Sequence, residues 1–121
     1  MKEKELIKKL QKQEKANSRD PYRTIKAVKA GNYMLSIQGS IGHYCSPRKT
    51  LPIDVYSSMQ LAIINKKGSM VSINRSKVFR KFKRYDELLS RADSLNSAGG
   101  TVYEYVPINL LNDLYCFLTE S

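Results

Sequence analysis

Apolar residues recur along this chain with two different periods, and the switches between them mark out its elements. Leu6, Ile7 and Leu10 fall on one face of residues 3 to 15, with lysines around the rest, which predicts a thin amphipathic helix. So narrow a stripe is marginal alone, and such a helix must dock on a domain or on another copy of itself. Ala16, Asn17, Ser18 and Arg19 break the pattern. Asp20 and Pro21 then supply an N-cap and a proline at the first helical position, and Gly31 supplies a stop. Ile25 and Val28 share a face between these signals, so a second helix is predicted over residues 21 to 30.

Past Gly31 the period changes to two. Tyr33, Leu35 and Ile37 alternate with Met34, Ser36 and Gln38, predicting a half-buried strand from Asn32 to about His43, with Gly39 and Gly42 permitting a bulge. Met59, Leu61 and Ile63 alternate within a second strand from Tyr56 to Ile64. The turn signal Asn65-Lys66-Lys67-Gly68 and a return strand through Met70, Val71 and Ile73 complete a hairpin. Tyr85 to Leu95 reads as a short helix, with Leu88 and Leu89 inward and Asp86 and Glu87 favourably placed in its first turn. Residues 97 to 100 form a turn, and Thr101 to Val106 a strand with Tyr103 and Tyr105 on one face and Val102 and Val106 on the other. Leu110, Leu111, Leu114, Phe117 and Leu118 make an unbroken stripe, which predicts an amphipathic helix over residues 108 to 118. These elements describe one α+β domain spanning residues 1 to 121. A basic helical segment, 1 to 31, precedes a core, 32 to 121, of about four antiparallel strands with the C-terminal helix packed on them.

Composition sharpens this picture through charge. The 121 residues carry a formal charge of +10, and its distribution is uneven: residues 66 to 91 hold nine bases and two acids, whereas residues 92 to 121 hold four acids and no base. Such a field favours anionic partners. For the N-terminal lysines, simple solubility is an equal explanation. No apolar run approaches the roughly 18 residues that span a bilayer, and the N-terminus has no apolar leader, so a cytoplasmic protein without a membrane partner is expected. Cys45 and Cys116 differ in setting and are expected to be free thiols.

The densest chemistry lies between the two central strands, in His43-Tyr44-Cys45-Ser46-Pro47-Arg48. Arg48 can present a planar fork to a phosphate, Ser46 can add a donor, and Tyr44 or His43 can stack on a base. The structural alternatives are that Arg48 pairs with Asp54 and that Tyr44 fills the core. A second candidate surface runs from residue 74 to 84, where six bases, Arg75, Arg80 and Arg84 among them, interleave with Phe79 and Phe82. Bases on phosphate and a phenyl face on a nucleobase would bind either a nucleic-acid strand or a mononucleotide. Alternatively, Val78, Phe79 and Phe82 enter the core and the bases face water. No catalytic residue is expected, because Cys45 and His43 adjoin on an extended chain rather than meeting as a nucleophile and base from separate elements. One histidine and two cysteines do not make a closed zinc site, and phosphate-loop and dinucleotide motifs are missing, so neither metal nor cofactor is expected.

Gln38-x-Ser40 followed by His43-Tyr44-Cys45-Ser46-Pro47-Arg48, with Thr101-Val102-Tyr103-Glu104-Tyr105-Val106-Pro107 further on, resembles a group of small phage and prophage proteins, the Thoeris anti-defence nucleotide sponges. The resemblance covers two short stretches. It implies a non-enzymatic protein that sequesters a cyclic ADP-ribose signal in the bacterial host cytoplasm, as a homo-oligomer with ligand held between subunits, and it makes the Tyr44 to Arg48 loop a functional part. The alternative function is a basic nucleic-acid-binding regulator, or a phage inhibitor of a protein-nucleic acid complex, acting through residues 75 to 84.

Overall fold

A computed structural model describes residues 3–14, 25–93 and 100–120. The chain is α+β. Helix α1 (Glu3–Glu14) precedes strands β1 (Val28–Ala30) and β2 (Tyr33–Gln38). After the long loop 39–57 come β3 (Ser58–Ile64), β4 (Met70–Val71), the short helix α2 (Tyr85–Leu89), β5 (Val102–Pro107) and helix α3 (Ile108–Glu120). Tight 3-10 turns at Ile53–Val55, Ile73–Arg75 and Phe79–Lys81 punctuate the connections.

All pairings in the five-stranded sheet are antiparallel, and β3 is its centre. One edge of β3 pairs with β2 from Gln60 to Ile64. Its other edge is shared: β4 covers Ile63 and Ile64, and β5 takes over from Ala62 to Ser58. The side chains of Ser72 and Thr101 hydrogen-bond where the two short strands meet. Alternation then sorts the faces. Val28, Ala30, Leu35, Ile37, Met59, Leu61, Ile63 and Tyr103 point inward and are almost wholly buried. Leu6 and Leu10 of α1 and Leu110, Leu111, Leu114 and Leu118 of α3 belong to the same core. A leucine buried this completely contributes roughly 1.5–3 kcal/mol. The outer face, including Met34, Ser36, Gln60, Ala62 and Ile64, is half-buried.

The stripe that predicted α3 is the stripe that packs, and α1 docks on α3, with Lys9 Nζ 5.4 Å from the Tyr115 ring centroid. The hairpin at residues 65–68 forms as expected, although the return strand stops at Val71 and Ile73 enters a 3-10 turn. The helix expected over residues 21 to 30 is corrected at its end. Residues 21–24 lie outside the described residues, as do 94–99, which include most of the turn expected near Gly99. Val28 to Ala30 form a strand, with Val28 and Ala30 buried and Lys29 exposed. Ile25 falls in register opposite Gln38, and there the Gln38 side chain replaces a strand backbone: Oε1 accepts from Ile25 N and Nε2 donates to Ile25 O, both at 2.7 Å. A tertiary partner of this kind overrides the helix propensity of a lysine- and alanine-rich segment.

Gly31, in the β1–β2 turn, has φ +61°, and a Cβ there would lie 2.2 Å from the Leu118 carbonyl oxygen of α3. Backbone conformation and close approach both require glycine. Gly31→Ala is therefore expected to lower unfolding free energy by at least ~2 kcal/mol, measured by urea denaturation; an unchanged midpoint would contradict this packing of α3 on the turn.

Candidate functional site

Strand β5 does not follow β3 evenly. Leu61 pairs with Tyr103 and Met59 with Val106, so Glu104 and Tyr105 together stand opposite Gln60 alone. This is a β-bulge, and Tyr105 takes the left-handed conformation, φ 51°. A non-glycine residue there costs of order 1–2 kcal/mol and persists only where its surroundings demand it. The bulge corrects the expected pairing of faces: Tyr103 turns into the core and Tyr105 turns out, 37% exposed. Burial raises the Tyr103 phenol above its ordinary range, while its Oη accepts a hydrogen bond from Ile73 N.

The amide that the bulge frees is used by the loop. Tyr105 N donates to Tyr44 O at 3.1 Å, and Tyr44 N donates to Gln60 Oε1 at 3.1 Å. Two residues on, Ser46 N donates to Ser58 O and Ser57 N to Ser46 O, making an isolated bridge to the start of β3. Ser40 Oγ lies 2.6 Å from His43 Nδ1 and accepts from Gly42 N. The Ser46–Pro47 peptide is cis. Beyond it, Tyr56 Oη closes the loop, accepting from Leu51 N and donating to Lys49 O. The loop is thus fastened to the sheet at Tyr44 and Ser46 and closed on itself through Ser40 and Tyr56.

Three side chains emerge from this framework as a ladder. The Arg48 guanidinium carbon lies 5.0 Å from the Tyr44 ring centroid, and the Tyr44 ring centroid lies 6.0 Å from that of Tyr105, with the planes inclined at 55°. Tyr44 is 41% exposed, so it does not fill the core. Among the described residues Arg48 has no carboxylate partner; it stacks on Tyr44 instead of pairing with Asp54. A guanidinium stacked in this way keeps its in-plane N–H donors for an oxyanion. His43 and Ser46 are half-buried beside the ladder. Cys45 is buried and joined in no disulfide, its Sγ 3.4 Å from the carbonyl oxygens of Ser40 and Pro47, and His43 Nδ1 lies against Ser40 Oγ. Among the described residues no cluster of three or more His, Cys, Asp or Glu stands ready for a metal ion. No described helix is long and apolar enough to cross a membrane.

The structure separates the basic segment from this site. Phe79 is fully buried, its ring 5.1 Å from Tyr33 in an edge-on contact, and Phe82 packs on Phe117 of α3 at 5.2 Å. Phe79 therefore offers no face to a base, which corrects its expected stacking role. Val78 is the exposed member of that group. Arg80 donates to the Asn74 carbonyl, and Arg75 is exposed on its 3-10 turn. Arg84 is engaged internally: its guanidinium forks onto Glu87 at 2.9 and 2.7 Å and reaches Asp113 and Asn109 of α3. Segment 73–89 thus belongs to the inner side with α3, whereas Tyr44 and Tyr105 stand at the outer side of β3 and β5. Tyr105 and Gln60, central to the ladder, were not singled out from the sequence; an aromatic residue in strand alternation carries no signal of a bulge.

Hydrogen bonding by Arg84, with its positive charge, holds the Glu87 carboxyl below its ordinary value of 4.5. A lowered folded pKa means that the pair stabilises the fold above the unfolded carboxylate range and ceases to do so as pH falls through the folded value. Carboxyl NMR titration is expected to show Glu87 titrating below other exposed glutamates, and Arg84→Ala to restore its ordinary value. An unshifted Glu87 in the wild-type protein would leave Arg84 available as a ligand residue.

No protein-family model, curated protein or solved structure matches this chain.

Proposed function

We propose that this chain is a non-catalytic nucleotide-binding protein that uses Arg48, Tyr44 and Tyr105 to hold an anionic, base-bearing small molecule. The observation that carries this reading is the exposed ladder of one guanidinium and two phenol rings, fixed by backbone hydrogen bonds to a strained bulge. A phosphate meets the guanidinium edge, and a purine lies on a tyrosine face, each stack worth roughly 1–3 kcal/mol. His43 and Ser46 border the same surface and complete the polar contacts. The Cys45 thiol is buried and so is not presented at the surface of this loop. Together with the resemblance of the His43 to Arg48 loop to the nucleotide sponges, this favours sequestration of a cyclic ADP-ribose-type immune signal by a phage-encoded protein in the host cytoplasm. The ladder lies open on one side, so a homo-oligomer in which a second copy closes over the ligand suits such a role.

A second reading, binding of nucleic acid, is supported by the outward bases Arg75, Lys77, Arg80, Lys81 and Lys83, which are exposed while the neighbouring phenylalanines are buried. That surface would act through charge alone. The two readings part in their salt response, because contact with many phosphates weakens steeply with salt whereas two phosphates in a closed site lose far less.

Calorimetric titration with cyclic ADP-ribose isomers, cyclic di- and trinucleotides and a short DNA duplex, at low and physiological salt, tests both. One small nucleotide is expected to bind and to be recovered unchanged by mass spectrometry. Arg48→Ala and Tyr44→Ala, at exposed positions, are each expected to weaken it about tenfold or more, the loss of one charge-assisted contact or one stack. Binding of the duplex alone, fading with salt, would replace this proposal with the second reading.

A further inference from the structure

The far end of the sheet carries a concentration of positive charge unrelated to the ladder. Because Met34 pairs with Ile64, the β1–β2 turn and the β3–β4 turn emerge side by side. Two adjoining clefts, about 400 and 320 Å³, open there, and Asn32, Tyr33, Asn65 and Lys66 line both. Lys29 lines the first and Lys67 the second. Among the described residues no carboxylate lines either one. Two further clefts differ: Asp113 lines both of them, joined in one by Glu120. Lys29, Lys66 and Lys67 are exposed and, among the described residues, form no ion pair.

The turn that carries two of these lysines is well ordered by its own hydrogen bonds. Asn65 Oδ1 accepts from Lys67 N and Ser69 N, each at 3.0 Å, and Asn65 N donates to Ser69 O at 2.9 Å. With Oδ1 occupied in this way, the Asn65 amide is oriented and its Nδ2 remains a donor. Tyr33, which lines both clefts, has its ring held edge-on by Phe79. Adjacent lysines repel one another, and an anion bearing several charges relieves that repulsion while meeting fixed amide donors. The cleft is separated from the ladder by the length of β2: Met34 to Gln38 is about 13 Å at roughly 3.3 Å per residue.

We propose that these paired turns form a second site, for a phosphate-bearing ligand with two or more phosphoryl groups, held by Lys29, Lys66 and Lys67 with Asn32 and Asn65. The site is independent of the ladder and of the function proposed for it. Amide NMR of the full chain, titrated separately with inorganic pyrophosphate and with a 5′-phosphorylated oligothymidylate at physiological salt, tests it. Saturable shifts are expected at residues 29–33 and 65–68. They should weaken about tenfold or more in the triple variant Lys29→Gln, Lys66→Gln, Lys67→Gln and persist in Arg48→Ala. These lysines are exposed, so the triple variant is expected to keep the wild-type spectrum elsewhere, which separates loss of the site from loss of the fold. Saturation by pyrophosphate identifies a free oligophosphate as the source of the ligand, and saturation by the oligonucleotide alone identifies strand phosphates; either supports the site. Shifts that never saturate, that spread evenly over all surface lysines, or that survive in the triple variant would overturn it.

Discussion

A single extra residue in β5 decides where the chemistry of this protein stands. Between Tyr103 and Val106, both buried, two residues must be fitted opposite Gln60, and the one in the left-handed conformation is an aromatic residue. That arrangement reverses the orientation expected of Tyr105 and frees its amide to hold Tyr44. Without the bulge, strand alternation would send Tyr105 inward beside Tyr103, and the loop 39–57 would lose its anchor on β5. Strain of this kind is tolerated where neighbouring contacts determine the backbone. Here they are the inward packing of Tyr103 and Val106 and the backbone bridge of Glu104 N to Arg91 O at 2.8 Å.

Charge is then partitioned by the sheet. On the inner side Arg84 is consumed in tying α2 to α3 through Glu87 and Asp113. On the outer side Arg48 stacks on an aromatic ring, and at the turn end Lys29, Lys66 and Lys67 line two adjoining clefts that no described acid lines. Cations that look equivalent in composition thus have three different roles. Ion pairs at a surface contribute little to stability, so the main consequence of the pairing is that the Arg84 donors are already engaged by Glu87, Asp113 and Asn109. The positive field outside segment 73–89 is carried by groups that no described carboxylate neutralises at the ladder or the turn end.

Much of the architecture was legible because burial imposes a period. The α3 stripe from Leu110 to Leu118 and the alternation through Met59, Leu61 and Ile63 each had one plausible solution, and Asn65 to Gly68 fixed the hairpin between β3 and β4. Strand β1 was not legible. Ile25 and Val28 fit a helix face as well as a strand edge, and what selects the strand is pairing with β2 and the side chain of Gln38, a contact invisible to local pattern. Of the site, the loop from His43 to Arg48 was recognisable by its density of polar groups. Its partners Gln60 and Tyr105 were not, because a bulge formed without glycine leaves no mark in composition. The setting of Phe79 and Arg84 was not legible for a related reason: whether a ring is buried, or a guanidinium already occupied by Asp113, is settled by residues distant in sequence.

The proposed site depends on the loop being fastened to the bulge before any ligand arrives, and the Tyr105 amide reports this directly. Native-state hydrogen exchange of the free protein is predicted to show the Tyr105 N–H protected to a degree comparable with the central amides of β3, since its acceptor is the Tyr44 carbonyl rather than water. Exchange at the rate of an open loop would mean that Tyr44 and Arg48 are not held in place, and that the ladder is not a preformed site.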